Sequence, residues 1–153
     1  MTDGFAIGRV TAGDLDEAMP LLRGYCEFYE AAPSDAALRG LCQALLDDPD
    51  HAGIQLLARL DGGTAVGLAT LLWTFSTLTA GPIGLMNDLY VAPAARGRGI
   101  GMALIEECKR ESLERGAVAL EWYTAPSNAR AQAVYDRTGA VRGDWVCYSL
   151  TLP

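Results

Sequence analysis

The sequence predicts an α/β (α+β) fold: a mixed, mostly antiparallel central sheet of six or seven strands with helices on both faces. Three observations predict it. Apolar residues alternate or run in short blocks at residues 5–10, 54–60, 65–75, 83–91 and 119–123, the lengths of strands. Helically spaced apolar positions fill the stretches at 15–30, 34–46 and 100–115. The resulting order, β-α-α-β-β-β-α-β-α-β-β, puts hairpins in the first half and crossovers in the second.

Each element has a local reason. Residues 5–10 alternate as a strand, and Thr11 to Asp14 supply a cap. Asp16 and Glu17 favour a helix start, and Leu15, Met19, Leu22, Cys26 and Tyr29 recur at helical spacing to about Glu30. Pro20 falls about a turn in, where it bends or delays that helix. Ala32-Pro33-Ser34 breaks the chain, and Ser34 caps a second helix through about Leu46. Asp61-Gly62-Gly63 joins two strands as a hairpin turn. After the strand at 83–91, Ile100, Leu104, Ile105 and Cys108 mark the buried face of a helix that stops at Arg115-Gly116. Asn128 opens a further helix that ends at Thr138-Gly139. Residues 141–152 read as one or two last strands, with Gly143-Asp144 as a turn.

The most informative segment is Leu89-Tyr90-Val91-Ala92-Pro93-Ala94-Ala95-Arg96-Gly97-Arg98-Gly99-Ile100-Gly101. A strand stopped by proline, a glycine-rich bend and a helix N-terminus follow one another. That order makes a cradle for a phosphate-bearing ligand, because free amides and the positive end of the helix dipole face the anion. Glycines let the backbone come close, and arginine adds charge-assisted hydrogen bonds. It is not a Walker A motif, since no Gly-Lys-Ser/Thr follows. The G-x-G-x-G spacing of Gly97, Gly99 and Gly101 also differs from the dinucleotide fingerprint. The plainer reading is a helix that needs only a flexible entry. The two interleaved arginines and the preceding strand weigh against it.

Arg96 to Gly101, preceded by Asp88-Leu89-Tyr90-Val91, resembles the acetyl-CoA loop of the GNAT N-acetyltransferase superfamily. The segment from Asn128 through Tyr135 to Gly139 resembles the family's next helix, with an asparagine near its start and a tyrosine two turns on. The two matches cover residues 86–140, and within the family the polyamine and diamine branch is the most similar. The resemblance implies a GNAT-like architecture and acetyl transfer from acetyl-CoA, as co-substrate, to a primary amine by direct attack in a ternary complex. It implies that Arg96, Gly97, Arg98, Gly99, Ile100 and Gly101 hold the pyrophosphate. Leu89, Tyr90 and Val91 would pair with the pantetheine arm as an added strand would, and Asn128 would hold its amide. Tyr135 is implied as the acid that reprotonates the thiolate.

An alkyl amine arrives protonated, so a carboxylate must take its proton directly or through water. Asp88, beside the loop, is the first candidate and Glu121 the reserve. Related polyamine enzymes carry two acids at the first pair of positions, where this chain has Asn87-Asp88. The competing reading of Asp88 is a buried partner for backbone or arginine groups, and that of Glu121 a solvated strand position. Tyr25 and Tyr29, with Glu27 and Glu30 beside them, suit an alkylammonium through carboxylate charge and aromatic faces. They suit a helix core as well.

At 153 residues the chain is long enough for one domain, 1–153, that buries roughly 70% of its unfolded surface. Net charge is −7, and residues 1–60 carry ten acids against four arginines. A phosphate backbone would be repelled, which argues against nucleic acid as partner, whereas a small cationic amine would be attracted. No apolar stretch is long enough for a membrane span, and the opening residues around Asp3 and Gly4 do not read as a secretory leader. Cys26, Cys42, Cys108 and Cys147 lack C-x-x-C spacing and read as buried free thiols of a cytoplasmic protein. His51 is the single histidine, so no metal site is expected. Arginine outnumbers lysine eleven to one, which suggests a bacterial, GC-rich genome. Residues 148–152 could form the edge of a homodimer. Three function classes stay open: small-amine acetylation, acetylation of a protein lysine or N-terminus, and a CoA-binding sensor without chemistry.

Overall fold

Five strands hydrogen-bond in chain order: β1 (Phe5–Arg9), β2 (Gly53–Leu60), β3 (Ala65–Ser76), β4 (Gly81–Val91) and β5 (Ala119–Trp122). The first three pairings are antiparallel and the last, β4 with β5, is parallel. The computed structural model describes residues 4–153. Asp3, counted among the acids above, and the leader reading that rests on it lie outside the described residues. The chain divides into two units, one reaching Tyr123 and the other spanning Thr124–Pro153.

In the first unit, helix α1 (Leu15–Phe28) and helix α2 (Asp35–Asp47) lie on one face of the sheet. Ala18, Met19, Leu21, Leu22, Leu38 and Cys42 form a core with Val10, Leu57 and Leu68. Thr11 and Asp14 make a reciprocal capping box before α1, with the Thr11 amide donating to the Asp14 carboxylate at 2.7 Å. Pro20 sits inside α1 without ending it. Ser34 caps α2 by accepting from the Ala37 amide at 3.1 Å. Helix α1 ends at Phe28, two residues earlier than expected, because Glu30 turns to φ 55°.

Helix α3 (Ile100–Glu114) covers the opposite face. Its Ile100, Leu104, Ile105 and Cys108 are buried, and Gly67 of β3 lies beneath Ile100 and Leu104. The far end of α3 is tied to β1. Arg9 donates to both oxygens of the buried Glu111, at 3.0 and 2.5 Å.

The second unit holds helix α4 (Ala129–Tyr135). Three expectations fail: α4 ends at Tyr135, short of the expected Thr138-Gly139, and two more concern strands and cysteines. The sheet has five strands, not six or seven, because residues 141–152 form none. Their alternating pattern is real, but a strand needs a hydrogen-bonded neighbour and a covered face. The second unit offers no partner strand, and Val141, Tyr148 and Leu150 stand exposed. Of the four cysteines, Cys42 and Cys108 are buried, but Cys26 is half-buried and Cys147 is exposed on this same segment. Among the described residues, no helix is long and apolar enough to cross a membrane.

Candidate active site

The loop between β4 and α3 has the local geometry that the sequence predicts for it. Pro93 starts a single 3-10 turn, Pro93–Ala95, and Ala95 anchors it in the core. Gly97 and Gly99 then take φ 78° and 80°, which β-carbon-bearing residues resist. Gly99 is the N-cap of α3, and the first helical bond runs from the Ala103 amide to the Gly99 carbonyl at 3.0 Å. The amides of Ile100, Gly101 and Met102 are therefore left without an intrahelical acceptor. A β-carbon at Gly97 or Gly99 would meet nothing within 4 Å, and one at Gly101 only the Val91 side chain at 3.9 Å. The helix start is open.

The two arginines differ. Arg98 is exposed at the mouth. Arg96 is half-buried, donates from Nε to the Val91 carbonyl at 2.9 Å, and sits 5.7 Å from the Tyr90 ring centre. Its side chain braces the loop against its own strand.

A β-bulge decides what β4 presents. Thr70 pairs with Asp88, but the next β3 residue, Leu71, pairs with Met86, so Asn87 is the extra residue. The parallel pairing with β5 stops one residue before it, at Met86 opposite Trp122. Beyond the bulge, Leu89, Tyr90 and Val91 stay paired with Ala69, Leu68 and Gly67 on β3 but have no β5 partner. The strand edge expected for the pantetheine arm is thus free of any strand within the first unit.

The bulge also resets the alternation, so Asp88 shares the α1–α2 face with Tyr90 and Thr70. Asp88 is buried, and its Oδ1 accepts from the Thr70 amide at 2.8 Å. Burial pushes its carboxyl up to about 6, against the Thr70 hydroxyl, the Thr70 amide and the Asn87 side chain, which all favour the charge. Both sequence readings of Asp88 therefore meet in one group: it is a backbone partner, and its proton affinity is shifted toward neutrality. Glu121 is half-buried on β5. Its neighbour Leu120 packs near Gly84 and Ser112 on the α3 side, so alternation puts Glu121 on the opposite face, with Asp88.

The end of α1 closes over this bulge. Tyr25 donates from its hydroxyl toward the Asn87 carbonyl at 3.4 Å, joining two of the expected acceptor residues. Tyr25 and Tyr29 meet edge to face at 5.1 Å, and Phe28 packs on Tyr29 at 5.0 Å. Phe28 and Tyr29 are exposed beside the exposed Glu27 and Glu30. The helix comes this close because residue 24 is glycine. A β-carbon there would stand 2.4 Å from the Tyr90 hydroxyl.

A family model described as Acetyltransferase (GNAT) family matches residues 16–140. The chain belongs to this family. It is similar to a Bacillus subtilis (strain 168) protein described as "Uncharacterized N-acetyltransferase YhfO", at 30% identity over 96% of this chain and 97% of that one. It is also similar to a thialysine N-epsilon-acetyltransferase of Caenorhabditis elegans, at 24% identity over 86% and 80%. Among solved structures, a probable acetyltransferase superposes with TM-score 0.80 at 30% identity, covering 97% of both chains. The aminoglycoside acetyltransferase AAC(6')-Iy, solved with CoA, gives the same TM-score at 22% identity, a likeness of fold, over 96% of this chain and 94% of that one. The protein is an acetyltransferase of GNAT fold.

Within the second unit of this GNAT chain, Asn128 is the N-cap of α4, and its side-chain oxygen accepts from the Ala131 amide at 3.2 Å. Tyr135 is the last residue of α4 and is half-buried. Seven residues, about two turns, put the pair on one side of the helix. Sequence reasoning missed Thr70, Gln55 and Gly24. Their signals were present: a polar residue inside the apolar run of β3 and another inside that of β2, and a glycine inside α1.

Proposed function

We propose that the protein acetylates a small cationic amine, a polyamine or diamine, using acetyl-CoA, by direct attack of the amine in a ternary complex. The observation that carries the coenzyme half is the open start of α3 behind two positive-φ glycines, next to a β4 edge that has left β5. A diphosphate needs such amides and the exposed Arg98, and a peptide-like arm needs such an edge. Acetyl-CoA supplies the activated acetyl thioester. Gly97 to Gly101 with Arg96 and Arg98 would hold its phosphates, Leu89 to Val91 its arm, and Asn128 an amide of that arm.

The acceptor half rests on the exposed aromatic and acidic end of α1 above the bulge. Phe28 and Tyr29 offer ring faces to an alkylammonium, and Glu27 and Glu30 offer charge. A relative whose name gives thialysine as its acceptor supports an amine on a flexible alkyl chain. Such an amine has a pKa of about 10.4, so freeing its lone pair near pH 7.4 costs about 4 kcal/mol. Asp88, held near 6, is the assigned proton acceptor, reached through water because it is buried. Glu121, on the same face, is the second acid of the site. Tyr135 carries the phenol proton assigned to the leaving sulfur by family resemblance.

The test is thiol release from acetyl-CoA against spermidine, short diamines, single amino acids and lysine peptides. Turnover that favours the polyamines and diamines is expected. Turnover of peptides alone would move the acceptor to protein lysine, and CoA binding without transfer to any amine would make the chain a sensor.

A further inference from the structure

Gln55, Thr70 and Asp88 stand at one level of three neighbouring strands. Gln55 of β2 is opposite Thr70 of β3, which is opposite Asp88 of β4. All three are buried, at 4%, 0% and 6% exposure. Their hydrogen bonds run one way. Gln55 Nε2 donates to Thr70 Oγ1 at 3.0 Å, so the hydroxyl acts there as acceptor and keeps its own proton for another partner. The Asp88 carboxylate, which accepts the Thr70 amide at 2.8 Å and whose charged form the Thr70 side chain favours, is the acceptor we assign to that proton. At the other end Gln55 favours the charged form of the Cys42 thiol of α2, against the larger effect of burial.

We propose that Gln55 and Thr70 are positioning residues: a directional donor chain that keeps Asp88 in its ionised, proton-accepting form at neutral pH. The inference rests on the assignment of Asp88 as proton acceptor. Its physics is local. A carboxylate in a buried sheet position is driven toward its neutral form, and two donors from one residue oppose that drive. Because the bulge at Asn87 removes an ordinary ladder partner, the Thr70 amide points at the side chain. Because Gln55 donates to the hydroxyl oxygen, the hydroxyl proton is left to turn toward the carboxylate. The donor chain therefore fixes the place of the carboxylate and limits the rise in proton affinity that burial imposes.

The groups around Asp88 leave the task to this chain. The Cys42 thiol from α2 and the Cys108 thiol from α3 feel its charge, and burial raises both, Cys108 to about 12, so both are neutral. From β4 the Asn87 side chain adds a neutral donor. From α1 Tyr25 reaches only the Asn87 carbonyl, and from β5 Glu121 would add like charge. Among the groups that move Asp88, none is an arginine, lysine or histidine.

The test compares wild type with Thr70→Val, Thr70→Ser and Gln55→Met. The Asp88 carboxyl is titrated in the free enzyme by carbon-13 NMR, assigned against Asp88→Asn. The pH profile of kcat/KM for the amine and the affinity for CoA are measured alongside. Thr70→Val should raise the carboxyl midpoint by about one pH unit or more, the value of one hydrogen bond to a charged group. The acid limb of kcat/KM should move with it while CoA affinity holds. Thr70→Ser should restore both, and Gln55→Met should give a smaller shift of the same sign. A carboxyl midpoint that stays put in Thr70→Val, or in Gln55→Met if the valine variant does not fold, overturns the donor chain alone. A midpoint that moves while the acid limb stays put overturns Asp88 as the acceptor, and the proposal with it.

Discussion

Arg96 turns back on the strand that precedes it: its Nε donates to the Val91 carbonyl at 2.9 Å. One of the two arginines expected to hold the anion is thus half anchor, and Arg98 is exposed at the start of α3. The two substitutions should separate. Arg98→Ala should weaken CoA about tenfold, the value of a charge-assisted hydrogen bond, with little change in melting temperature. Arg96→Ala should weaken CoA by a similar factor and also lower the melting temperature, since the Val91 carbonyl loses its donor. Calorimetric titration with CoA beside thermal melts distinguishes them. Equal melting losses from both variants would refute the division of labour.

Gly99 caps α3 at φ 80°, with open space where a side chain would stand. Gly99→Ala should therefore cost through backbone strain rather than collision, about 1 kcal/mol of stability. It should also tilt the first-turn amides and weaken CoA. Denaturant unfolding reads the first effect. An alanine variant as stable as wild type would show that the left-handed geometry is dispensable.

The proton on Asp88 gives stability a distinctive pH dependence. Its folded value of about 6 lies above the 3.8 of an unperturbed aspartate. A raised carboxyl favours the folded state while protonated. The contribution is complete below about pH 4 and is lost as pH rises through about 6. The span corresponds to about 3 kcal/mol. Asp88→Asn should be more stable than wild type at pH 7.5 and lack this slope. Melts at pH 4.5 and 7.5 check it, and an identical slope in both proteins would count against the assignment.

Glu111 works in the opposite sense. Its side chain is 4% exposed and Arg9 holds its carboxyl below the usual range, so its contribution is present above about pH 4.5 and lost as pH falls below it. Arg9→Ala leaves that carboxylate buried with Arg110 as its remaining cation. It should cost about 2 kcal/mol, less than a fully buried pair because Arg9 is half exposed. Glu111→Gln should cost less than Arg9→Ala, since it leaves no buried charge. Denaturation curves of the two variants at pH 7.5 settle the order.

Much of the fold was legible because its signals are local. Alternating residues or short apolar blocks made β1 through β5, Ser34 made the cap of α2, and the glycines at 97 and 99 made the entry to α3. Residues 141–152 carried the same kind of signal and formed no strand, because alternation specifies a face and not a partner. Sequence alone therefore determined the element types as far as β5, the glycine-rich bend before α3 and the choice of Asp88 as a residue to watch. Tertiary structure decided the rest. One extra residue at Asn87 turned Asp88 onto the face of Thr70 and Gln55, which lie 18 and 33 positions earlier in the chain. Register between strands is a property of pairing, and the electrostatics of a buried carboxylate depend on whatever that pairing brings beside it.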